Sequence, residues 1–101
     1  MMQGDAYLLP IHVEIEGENI DANMFSDIEI SIGPIRKYMV RGDVEFNEET
    51  KDFEAYLTQK ETFKLGKKEK VQIRFKFNSG DVIGVNLGEK EIVPSLSKVE
   101  L

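Results

Sequence analysis

Few side chains in this chain are of types that can do chemistry, and their spacing gives little to catalysis. His12 is the single histidine. It can form neither a multi-histidine metal site nor a triad unless the fold brings acidic or hydroxyl partners beside it. Its place in an alternating segment reads instead as the polar face of a strand. Asp43 with Glu45, and Glu48 with Glu49 and Asp52, are the carboxylates that could hold Ca²⁺ or act as an acid/base couple. No segment has the ligand and glycine spacing of an EF-hand loop, and a working carboxylate pair needs a separation that only the fold sets. Solvated turns are the plainer reading. Thr58 and Glu61 fit a helix cap better than a catalytic pair. With no Cys there is no thiolate zinc site, cysteine nucleophile or disulfide framework. No catalytic, cofactor-binding or metal-ligating residue is assigned, and no cofactor is expected.

Three further patterns have ordinary explanations. Arg41-Gly42-Asp43 spells the tripeptide that integrin ligands present on exposed loops, but Gly42 is expected to make a turn between strands. The glycines at 80, 84 and 88 precede no helix and no Gly-Lys-Ser/Thr, so they read as a hairpin, a bulge and a turn rather than a phosphate loop. Lys64, Lys67, Lys68 and Lys70 bracket Gly66 and read as a solvated loop.

The elements that must position these residues come from a chain of 101 residues, 41% hydrophobic and 32% charged, which suits one globular domain over 1–101. Folding at that length buries roughly two-thirds of the surface of the unfolded chain, enough for one core. The formal net charge of -6 opposes the attraction that supplies most non-specific nucleic-acid affinity, so no nucleic acid is expected as a partner. The opening Met1-Met2-Gln3-Gly4-Asp5 lacks a basic n-region, and no stretch approaches the roughly eighteen apolar residues that span a bilayer, so no membrane association is expected.

Period-two alternation dominates. Tyr7, Leu9, Ile11, Val13 and Ile15 take one face of a first strand and Leu8, Pro10, His12 and Glu14 the other. Pro10 cannot donate to a ladder, which puts this strand at an edge or at a switch between sheets. Gly17-Glu18-Asn19 reads as a turn. Ile28, Ile30 and Ile32 mark a second strand ended by Gly33-Pro34, and a third runs around Ile35 to Val40. Val44–Phe46 and Phe53–Leu57 form a hairpin across a polar loop. Thr58 with Glu61 is a capping box opening a short helix that brings Phe63 and Leu65 inward and stops at Gly66. Val71–Phe77 is the cleanest strand, and Asn78-Ser79-Gly80-Asp81 leads it back into Val82–Leu87. A last strand is expected at Ile92 and Val93, with the tail to Leu101 extending it. The expected fold is all-β: an immunoglobulin-like two-sheet antiparallel sandwich of about seven or eight strands, with one short helical turn near 58–65, in preference to a barrel.

Over nearly its whole length the chain resembles a family of small proteins encoded among tail genes of phages and prophages of Gram-positive bacteria. The likeness is carried by Gln3-Gly4-Asp5-Ala6-Tyr7-Leu8-Leu9-Pro10-Ile11, Ile32-Gly33-Pro34-Ile35-Arg36-Lys37 and Leu57-Thr58-Gln59-Lys60-Glu61-Thr62-Phe63-Lys64-Leu65. Val71-Gln72-Ile73-Arg74-Phe75-Lys76-Phe77, Gly80-Asp81-Val82-Ile83-Gly84 and Ser95-Leu96-Ser97-Lys98 complete it. The strand order is also similar, more remotely, to the N-terminal β-sandwich of phage baseplate upper proteins. The resemblance implies a non-enzymatic structural or adaptor protein of a tail or baseplate, made in the bacterial cytoplasm and carried in the virion tail once assembled. Its partners would be other tail or baseplate proteins, further copies of itself included, met through the edge segments Tyr7 to Glu16 and Ile92 to Leu101. The alternative is a small module binding carbohydrate or Ca²⁺, although a chain without Trp suits a sugar poorly.

Overall fold

The computed structural model describes residues 1–15, 18–19 and 22–101. Its strands are β1 (Tyr7–His12), β2 (Glu14–Ile15), β3 (Glu18–Asn19), β4 (Phe25–Ile32), β5 (Ile35–Tyr38), β6 (Val44–Asn47), β7 (Asp52–Leu57), β8 (Lys68–Phe77) and β9 (Val82–Glu91). Two antiparallel sheets hold seven of them, in the orders β1-β7-β6 and β5-β4-β8-β9, while β2 and β3 pair as a separate ribbon. This is the expected all-β, two-sheet antiparallel sandwich. Sheets of four and three strands also make up the constant-type immunoglobulin domain. There the second and third strands lie in opposite sheets; here β4 and β5 form a hairpin within one.

The alternation read from the sequence becomes burial. Leu9, Ile11 and Val13 are buried, and Leu8, Pro10, His12 and Glu14 are exposed. Ile28, Ile30 and Ile32 of β4 and Val71, Ile73 and Phe75 of β8 face Phe53, Ala55 and Leu57 of β7 in one core. Phenylalanines bridge the layers: Phe53 meets Phe75 at 5.8 Å and Phe25 at 6.5 Å, both edge-on. The aromatic Tyr56, which by residue type alone would be expected in the core with Phe53, points outward from β7 at 52% exposure.

Several connections depart from expectation. The turn placed at Gly17-Glu18-Asn19 falls partly outside the described residues, and Glu18 and Asn19 pair with Glu14 and Ile15. The helix α1 covers only Gln59–Thr62, with the capping box at Thr58 and Glu61 in place. It ends at Phe63, four residues after its start and before Gly66, because the amides of Lys64 and Leu65 turn back to the carbonyls of Glu61 and Thr62. Leu65 is buried and Phe63 half-buried. The lysine cluster is only partly a loop: Lys68 and Lys70 lie in β8, opposite Glu91 and Glu89 of β9. Opposite charges facing each other across a ladder favour pairing, which explains why both strands outrun their apolar segments.

Gly88 sits at φ +85 where β9 has one residue more than β8. It forms the bulge, and the strand continues through it rather than turning. No last strand forms at Ile92–Val93. Ile92 is buried, Val93 makes an isolated parallel bridge to Met2, and Pro94, which has no amide hydrogen, ends the pairing. The edge of the larger sheet on this side is therefore β9, with β5 at the other edge, and 94–101 is an irregular tail.

Candidate interaction surface

Most of the residues singled out by type are engaged in holding the fold. His12 lies opposite Asp52 across β1 and β7. Its Nδ1 is 2.9 Å from Asp52 Oδ1 and its Nε2 is 3.2 Å from Glu14 Oε1. The fold thus supplies the acidic partners that the sequence could not show, but on both ring nitrogens at once. Hydrogen bonds to Glu14 and Asp52 raise the His12 pKa above 6.5. With both nitrogens donating, the ring has no lone pair to act as a general base.

The sign of the pH effect follows from the raised pKa. The contribution of His12 to stability is fully present below 6.5 and is lost as pH rises through the folded-state value. Replacing His12 with Gln is therefore expected to lower the melting temperature relative to wild type more at pH 5.5 than at pH 8.5. Equal losses at both pH values would show that the carboxylates do not hold the imidazolium.

Asp43 turns its Oδ2 toward the amide of Tyr38 at 3.3 Å, and the guanidinium of Arg41 lies 4.4 Å from the centre of the Tyr38 ring. Both ends of the Arg-Gly-Asp tripeptide are thereby occupied, and Gly42 makes the expected turn from β5 to β6. Glu48 binds Lys51, and the side chain of Asn47 accepts from the amides of Glu49 and Thr50. Among the described residues no three His, Asp or Glu side chains converge to hold a metal ion.

The outer face of the larger sheet carries a compact network. Tyr38 donates from its hydroxyl to Glu29 at 2.7 Å, and Arg74 Nε donates to the same carboxylate at 2.8 Å. Together, with Tyr38 first, they hold Glu29 below its usual 4.5. Such a network fixes β5, β4 and β8 side by side.

The two flanks of the sandwich differ. On the β5–β6 flank the Met39–Arg41 turn joins the sheets, and Lys37, buried on the inner face of β5, reaches Glu61 of α1 at 2.7 Å. On the opposite flank β1 and β9 are both edges, because the three-stranded sheet is too narrow to cover the four-stranded one. Between them runs a groove of about 280 Å³ whose apolar floor includes Leu9, Ile11, Val71 and Leu87, with His12, Glu89 and Lys90 at its rim.

The edges themselves are unequal. β1 carries Pro10, which removes a donor and blunts it. β9 runs ten residues without proline, and its inner face is left uncovered at Ile83, 47% exposed, while Val85 and Leu87 are half-buried. Of the two edge segments expected from sequence, Tyr7–His12 is an edge. Ile92–Leu101 is not, and the segment that takes its place, Val82–Leu87, reads in sequence like any hairpin strand. Only its lack of a partner on one side distinguishes it, and that is a property of sheet order.

No helix among the described residues is long and apolar enough to cross a membrane. Compared with protein-family models, with curated proteins and with solved structures, the chain matches none.

Proposed function

We propose that this protein is a non-enzymatic structural or adaptor component of a phage or prophage tail or baseplate, working through protein–protein contacts. It is made in the bacterial cytoplasm and incorporated into the virion tail. The observation that carries this reading is the open flank: β9 offers a row of backbone donors and acceptors beside apolar side chains, the combination to which a partner's extended segment adds as a further strand. The family resemblance supplies the setting. The engagement of His12, Asp43, Glu29 and Glu61 in internal contacts supports a scaffold over a catalyst or an ion-binding module.

The test is deletion of the gene in its host, followed by electron microscopy of induced particles. Tails that are absent or lack part of the baseplate are expected, restored by the wild-type gene and not by one carrying Ile83→Lys. Intact, infective tails from the deletion would overturn the reading.

A further inference from the structure

The phase of the β8–β9 ladder decides what β9 can pair with. The Phe77 amide donates to the Asp81 carbonyl at 2.8 Å. In an antiparallel ladder, hydrogen-bonded and non-hydrogen-bonded pairs alternate. With Phe75 opposite Ile83 and Ile73 opposite Val85, the backbone groups of Ile83 and Val85 face β8, whereas those of Val82, Gly84 and Asn86 face the free edge. The side chains of Ile83, Val85 and Leu87 lie on the inner face. The bulge at Gly88 limits the regular free edge to Val82–Leu87, a segment with no charged side chain.

We propose that β9 pairs antiparallel with β9 of a second copy of this chain, centred on Val85, making an eight-stranded sheet across a two-fold axis. This deepens the adaptor reading by naming one partner. An antiparallel self-pair must bring outward-facing backbone groups together, which permits a centre on a residue and excludes one between residues; of these, Gly84, Val85 and Asn86 lie in the middle of the segment. Centring on Gly84 sets Leu87 opposite Asp81, and centring on Asn86 sets Ile83 opposite Glu89. Only the Val85 centre places every inner-face apolar residue against another: Val85 faces its mate and Ile83 faces Leu87, twice. Gly84 and Asn86 then exchange their free backbone bonds on either side of the axis. The axis is perpendicular to the sheet, so both grooves open on the same side and each copy covers the other's exposed Ile83.

Charge and size set the strength. Each copy carries a formal charge of -6, and the seam itself is neutral, but Asp81 faces Glu89 at each end, so added salt favours the dimer. A six-residue seam lies at the small end of protein interfaces, consistent with a dissociation constant on the order of 100 µM.

The chain has no cysteine, so single cysteines report the register directly. Val85→Cys places two thiols opposite each other in a non-hydrogen-bonded pair, within reach of a disulfide. Val82→Cys stands about 20 Å from its mate along the seam. Under mild oxidation V85C is expected to form covalent dimer at least about tenfold faster than V82C or the β1 control Leu8→Cys. Light scattering of the wild type is expected to show the mass rising toward twice that of the chain with concentration and with salt. Equal cross-linking at the three positions, or a wild type that stays monomeric to millimolar concentration, would overturn the dimer. A monomer that nevertheless enters tails would overturn this pairing alone and leave the adaptor reading standing; a dimer whose deletion leaves tails intact would do the reverse.

Discussion

Replacing Phe53 with alanine is expected to cost about 4 kcal/mol of stability, while Tyr56→Ala three residues later in the same strand costs under about 1 kcal/mol. Phe53 is fully buried on the inner face of β7. Its ring contacts come from three other strands: Phe25 of β4, Phe46 of β6 at 4.9 Å, and Phe75 of β8. Truncation removes apolar burial and opens a cavity between the sheets, and no single neighbour can move to fill it while remaining in its own strand. Tyr56 faces solvent and loses mainly cross-strand contact. For a domain of this length, whose total stability is of order 5–15 kcal/mol, the Phe53 change should lower the melting temperature by about 15 °C or more. Urea midpoints of the two variants measure the contrast. Similar losses would mean that the sheets are not joined through Phe53.

Glu61→Ala should cost about 3 kcal/mol, because it leaves the Lys37 ammonium buried without its partner. The Lys37 side chain is 10% exposed and that of Glu61 27%, so the asymmetry is testable. Lys37→Met removes the buried charge, while Glu61 stays partly hydrated and still accepts from the Thr58 amide at 3.0 Å. That change is expected to cost under about 1 kcal/mol. Equal penalties for E61A and K37M would show that burial of the ammonium is not the source of the effect.

The same carboxylate gives the protein an acid limit. Burial by itself raises the Glu61 pKa, but the Lys37 ammonium and the Thr58 backbone amide outweigh it and hold the group below 4.5. A depressed carboxylate contributes stability that is present above its unfolded value and lost as pH falls through its folded value. Melting temperature should therefore fall below about pH 4.5, with Glu29 acting in the same direction. Lys37→Met should flatten that acid limb. An acid limb as steep in K37M as in wild type would place the sensitivity elsewhere.

Alternation by itself determined most of the layers. Wherever one face of a strand packs on a core, period two in side-chain type must become period two in burial, so β1, β4 and β8 were legible residue by residue, whereas in β7 Tyr56 is as apolar in type as the buried Phe53 and Leu57 and yet takes the outer face. Pro10 narrowed β1 to an edge or a switch between sheets, because a residue without an amide hydrogen cannot pair on both sides, and the sheet order makes it an edge. The capping box was equally local: Thr58 and Glu61 satisfy each other's amides whatever surrounds them.

What only the tertiary structure decided depends on contacts between distant segments. His12 gains Asp52 from forty residues away, and Lys37 of β5 finds Glu61 of α1 from twenty-four residues away. Lys68 and Lys70 become strand because Glu91 and Glu89 lie opposite them. The exposed edge is the sharpest case. Val82–Leu87 alternates much as Val71–Phe77 does, yet β8 has neighbours on both sides and β9 on one. Hydrophobic pattern fixes which face of a strand is buried; strand order alone fixes which strand is left with an open side, and here that order leaves β9 with one.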